Sequence, residues 1–128
     1  MIQVKMALRV QGTRFDPAEA SRRVGIAFTT SYSPGSVASC GRYRGQHLPY
    51  GFGELVSASV AATFDEEDRF LHDVEALVPA AVEAGAERLV LHLDVGVRQQ
   101  CNLELGQSFL RRVAAAGLDL TISCFEVE

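Results

Sequence analysis

The chain has no tryptophan, two methionines and three cysteines in 128 residues. Cys40, Cys101 and Cys124 are odd in number, widely spaced and never part of a C-x-x-C pair. That argues against a disulfide framework and against a cysteine-built zinc site, and it favours a reducing, cytoplasmic setting. No stretch of about 18 apolar residues is present, so no membrane span is expected. Residues 1–10 alternate polar and apolar side chains without an apolar h-region, so a secretory signal is not expected either, and no lipidation motif is visible. The chain also lacks a Gly-Lys-Ser/Thr phosphate-loop ending and a G-x-S-x-G nucleophile elbow. Ser33-Pro34-Gly35-Ser36 is the nearest approach, and turn chemistry suffices to explain it.

What remains is an ordinary globular composition. Apolar residues make up 48% and charged residues 22%, which fits one domain over residues 1–128 that builds a core without covalent staples. The net charge of -4 is unevenly spread. Residues 1–50 carry seven basic and two acidic side chains, and the rest carries five basic and fourteen acidic. Such asymmetry marks a partner surface, or else two halves that neutralise each other within the fold. The acidic total disfavours a nucleic-acid binder.

Ile2, Val4, Met6, Leu8 and Val10 alternate with polar residues, the signature of a half-buried strand. Asp16-Pro17-Ala18-Glu19 reads as a helix start: Asp16 caps, Pro17 takes the first position, and Glu19 completes a capping box with Phe15 and Ala20 as its staple. Gly25 closes that helix, and Ile26 to Thr30 predicts a second strand. Ser33 to Gly53 holds five glycines, Pro34 and Pro49 and no sustained period, so it reads as a long loop. Glu54 to Thr63 predicts a third strand, buried mainly on one side, with Val56, Ala58 and Val60 on one face and Leu55, Ser57 and Ser59 on the other. Asp65 to Asp68 opens the longest helix with charges suited to its dipole, and Pro79 predicts a kink or a second helix. Leu89 to Val95 gives a fourth strand. A short extended piece is allowed at Cys101 to Leu105. A helix around Phe109, Leu110, Val113 and Ala114 and a strand from Leu118 to Cys124 complete the chain, with Cys124 expected as a small buried hydrophobe.

The order β-α-β-β-α-β-α-β is that of an α+β fold. A mainly antiparallel sheet of about five strands with helices on one face fits it, as a ferredoxin-like core plus an α-β extension. A doubly wound parallel sheet is the alternative.

Four groups of residues could carry chemistry. Arg42, Tyr43, Arg44, His47, Tyr50 and Phe52 interleave basic and aromatic side chains in the long loop. Such a set anchors protein partners or grips phosphates and stacks bases, or it folds back on the core. His92 and Asp94 share a strand face, where they could orient a proton or hold a metal, but a third ligand cannot be placed. Asp68 and His72 are spaced to pair along a helix. Cys40 lies near Arg42 and Arg44, which could activate its thiol.

The stretch Leu8-Arg9-Val10-Gln11-Gly12, then Asp16-Pro17 with a short helix to Val24-Gly25-Ile26, resembles the opening of a family of small, mostly bacterial proteins of unknown function. The likeness continues through Gly35, Gly53 to Ala58, Leu71-His72, Leu89 to Val95 and Gly117 to Ile122. Where that family has a tryptophan before the third strand, this chain has Phe52 in its place. The family has no assigned catalytic residues, so none can be carried over to this chain, and no cofactor is expected. By analogy of class, small acidic chains of this kind include immunity proteins, which neutralise bacterial toxins by direct binding. The sequence thus points to a non-enzymatic protein-binding module, with Arg42, Tyr43, Arg44, His47 and Tyr50 as binding residues and a toxin as one candidate partner. The alternative is a small ligand-binding domain or enzyme using the 33–53 loop, with His47, Tyr43 or Cys40 as its working groups. A homodimer through an exposed sheet edge is compatible with either.

Overall fold

The computed structural model of the chain describes residues 3–39, 41–57, 60–61, 68–99 and 102–127. Strand β1, Gln3–Gly12, is the centre of the sheet. Its period-two pattern buries Val4, Met6, Leu8 and Val10 completely or nearly so and turns Lys5, Arg9 and Gln11 to the opposite face. On one side β1 pairs antiparallel with β3 (Gly51–Val56) and the short β4 (Val60–Ala61). On the other it pairs antiparallel with β5 (Arg88–Val97). β2 (Thr30–Tyr32) adds antiparallel outside β3, and β6 (Asp119–Glu126) adds parallel outside β5.

The order β2-β3-β1-β5-β6 places β3 between the two strands that helix α1 (Pro17–Val24) connects. That is the split β-α-β arrangement of a ferredoxin-like core. Helix α3 (Gln107–Ala115) and β6 are the added α-β pair. The long helix α2 (Asp68–Glu83) buries Leu71, Val74, Leu77, Val78 and Ala81 against β1 and β5, where Ala20 from α1 and Phe109 and Val113 from α3 join the same core. Among the described residues the three helices therefore cover one face, and the other face carries none.

Local chemistry sets the ends of α1. Asp16 Oδ1 accepts from the Glu19 N–H at 3.2 Å, and Gly25 turns left-handed at φ 72° to close it. Only half of the capping box forms, because the Glu19 carboxylate pairs forward with Arg22 and Arg23 instead. Gly51 allows the closest approach in the fold, since a Cβ there would stand 1.9 Å from the Phe15 carbonyl oxygen.

Several expectations are corrected. The second strand is Thr30–Tyr32, because Ile26 and Phe28 leave the sheet plane to pack on the core, Phe28 edge-on to Phe15 at 6.1 Å. The third strand starts at Gly51 rather than Glu54, and its Leu55 face is the one toward the core, since Leu55 pairs with core-facing Leu8. It also breaks. Ala7 pairs with Val56 but Val4 with Val60, three steps against four, which is a β-bulge. α2 is one helix across Pro79 rather than two, and Pro79 sits on its exposed side. Val82 leaves the buried stripe and is 52% exposed. Residues 102–105 form no strand; Leu103 and Leu105 pack on the core as irregular chain. Cys124 is exposed, because α3 covers only the start of edge strand β6. Cys40, Cys101, Ala58 and the acidic run 65–67 lie outside the described residues, as does the side chain of Asp68. No helix among the described residues is long and apolar enough to cross a membrane.

Candidate functional site

The helix-free face of the sheet holds the polar residues of β1, β3 and β5, and the 33–50 segment stands at one end of it. That segment has structure of its own. Gly35 N–H donates to Leu48 O, Leu48 N–H to Ser36 O, and Ala38 N–H to Gln46 O, all within 2.9 Å. Val37 and His47 pair across this small antiparallel unit, and Ala38 and Leu48 are buried beneath it. The long loop of the sequence is thus a folded hairpin-like flap.

Between the flap and the sheet lies a cleft of about 460 Å³. Four aromatic rings wall it. Tyr32 stacks on Phe52 at 6.5 Å and 29°, and Tyr43 meets Tyr50 edge-on at 6.1 Å. Arg42 also lines it, with its guanidinium 5.7 Å from the Tyr43 ring centre. Of the sequence candidates, then, Arg42, Tyr43, Tyr50 and Phe52 come together. Arg44 and His47 do not line the cleft. His47 instead holds the flap in shape, its Nδ1–H donating to the Gly35 carbonyl at 2.6 Å. Tyr32 and Gln11 also line the cleft and were not candidates. Their signal was present in the sequence only as polar-face positions of strands, and the register that aligns Tyr32, Phe52 and Gln11 in one row requires the fold.

A second cleft, about 370 Å³, continues the first along the sheet and shares Gln11 and Phe52 with it. Arg9, Arg88, His92 and Thr121 complete its polar lining. His92 is buried, with only 8% of its surface exposed. Its Nε2–H donates to Asp94 Oδ1 at 3.0 Å, and its Nδ1 lies 2.6 Å from Thr121 Oγ1. The expected His92–Asp94 pair thus forms, and Thr121 extends it to a hydroxyl–imidazole–carboxylate chain. Both ring nitrogens are engaged, which fixes the imidazole between β5 and β6. The described residues contain no group of three or more His, Cys, Asp or Glu side chains able to hold a metal. His72 is exposed, 3.9 Å from Glu75.

The charge asymmetry is partly consumed within the fold. Arg9 pairs with Glu54 at 2.8 Å, and Arg23 pairs with Glu83. Arg42 and Arg44 make no ion pair among the described residues.

No protein-family model matches the chain, and it matches no curated protein and no solved structure. The family likeness seen in its sequence accordingly stands on the residues quoted for it.

Proposed function

We propose that this chain is a non-enzymatic recognition module that binds a protein partner through the flap and the adjoining open sheet face, in the manner of a cytoplasmic immunity protein that blocks a bacterial toxin. The observation that carries this reading is the aromatic cleft with Arg42 at its edge. Tyrosine and arginine in a preformed concavity are the groups that anchor protein interfaces, because they bury large rigid surface at little entropic cost. Arg42 and Arg44 stand free of internal ion pairs among the described residues, so they are available to an acidic partner surface.

The test is capture of the partner from extract of the native cell by tagged wild type and by two single variants. Arg42→Ala removes a cleft residue and should release the partner. Arg44→Ala lies outside the cleft and should weaken capture less. Equal retention by wild type and an Arg42→Ala/Arg44→Ala double variant would refute this use of the flap.

A second reading, a small-ligand site, is favoured by the concavity itself. A flap lying flat on the core would have left no cleft, whereas this one walls a volume in the usual range for small molecules. Recovery of a small molecule rather than a stoichiometric protein would select it.

A further inference from the structure

We infer that the two adjoining clefts are one bipartite site for a planar ring joined to a phosphate, with the ring in the aromatic cleft and the phosphate on Arg9 and Arg88. This deepens the small-ligand reading and rests on it.

The register supplies the first argument. Tyr32, Phe52, Gln11 and Arg88 are cross-strand partners in a single row over β2, β3, β1 and β5. The row runs from an aromatic pair at one end to a guanidinium at the other. Neighbouring strands lie about 4.8 Å apart, so Phe52 and Arg88 are separated by roughly 10 Å at the backbone. Both side chains line the second cleft, so one ligand carrying a ring and a phosphate can touch both.

Charge supplies the second. The chain has 16 acidic residues against 12 basic, yet among the described residues Arg9, Arg42 and Arg88 line these two clefts and no Asp or Glu does. The carboxylates on the same face stand outside the walls. Glu54 holds Arg9 through Nε at 2.8 Å, Asp94 is bonded to His92, and Asp119 lies on β6 opposite Val90. The terminal Nη groups of Arg9 and the guanidinium donors of Arg88 make no hydrogen bond among the described residues. Two guanidinium forks with the Gln11 amide beside them offer more donors than a carboxylate has lone pairs to fill. They suit the three oxygens of a phosphate. The Glu54 contact also fixes Arg9 in advance, which lowers the ordering cost of binding.

The experiment is a titration of the full chain with 5′-AMP, phenyl phosphate, adenosine and inorganic phosphate, followed by calorimetry and by backbone amide shifts. The expected result is that a ring-bearing phosphate binds at least about tenfold more tightly than adenosine or inorganic phosphate. Shifts should centre on Gln11, Phe52 and Arg88. Arg88→Gln, an exposed change, should weaken that binding about tenfold, the scale of one charge-assisted hydrogen bond, and leave adenosine unaffected. Arg9→Gln should act in the same direction. Preference for 5′-AMP would identify a nucleoside phosphate, and preference for phenyl phosphate an aryl phosphate such as a phosphotyrosine side chain. Adenosine binding as tightly as 5′-AMP would overturn the bipartite site while leaving the aromatic cleft as a ligand site. Inorganic phosphate binding as tightly as either ring-bearing probe would overturn it too, as would no binding of any probe at millimolar concentration.

Discussion

Ser57 sits where β3 breaks register, and its hydroxyl takes the part of the missing ladder carbonyl. The Met6 N–H donates to Ser57 Oγ at 2.8 Å in a buried setting, and Ser57 N–H returns a bond to Met6 O. Ser57→Ala leaves a buried backbone donor without a partner, and we expect a loss of about 1–3 kcal/mol by chemical denaturation. Gly51 makes a different demand. A side chain there collides with the Phe15 carbonyl, which is backbone and cannot rotate away. Gly51→Ala should cost about 1–3 kcal/mol or more, as overpacking does, and thermal unfolding will read it. Asp16→Ala should cost about 1 kcal/mol through loss of the helix cap. These residues differ in how far the sequence exposes them. Asp16-Pro17 is a local signal, and its cap forms as the sequence indicates. Ser57 acts on a residue 51 positions away, so only strand pairing reveals its role.

At the scale of elements, β1 and the turn into β5 are joined by a side-chain clasp. The Thr13 hydroxyl and then the Thr13 N–H, each 2.7 Å from Glu87 Oε1, hold the Glu87 carboxyl below its ordinary value of 4.5. A carboxyl lowered on folding stabilises the fold above its unfolded value, and that contribution is lost as pH falls through the lower folded value. The stability gap between wild type and Glu87→Gln should therefore be present at neutral pH and close in acid. An unchanged gap across that range would contradict the clasp. The same scale explains what the sequence conceals about the flap. Its hydrogen bonds join Gly35–Ala38 to Gln46–Leu48 without a run of alternating apolar residues, because only Ala38 and Leu48 need burial. A segment with two buried anchors carries no period to detect. Pro79 lies inside α2 and does not divide it into two helices. Its ring lies on the solvent side of α2, where the helix tolerates it.

At the scale of the molecule, the fold class and the one-sided cover of helices were legible, since element order and the alternation in β1 and β5 determine which face is buried. The site was legible in part. Arg42, Tyr43, Tyr50 and Phe52 announce themselves by type and clustering, whereas Tyr32, Arg9 and Arg88 join them only through strand register. The resulting molecule has two unlike faces. One is sheathed in helices, and the other presents rings and guanidinium groups from an otherwise acidic chain. Our proposal places recognition on the second. The direct measurement is partner capture by wild type, by Tyr43→Ala/Tyr50→Ala in the cleft, and by Arg111→Ala on the exposed surface of α3. The account predicts that the cleft variant loses what wild type and Arg111→Ala retain. Retention by the cleft variant, with loss in Arg111→Ala, would place recognition on the helical face and contradict it.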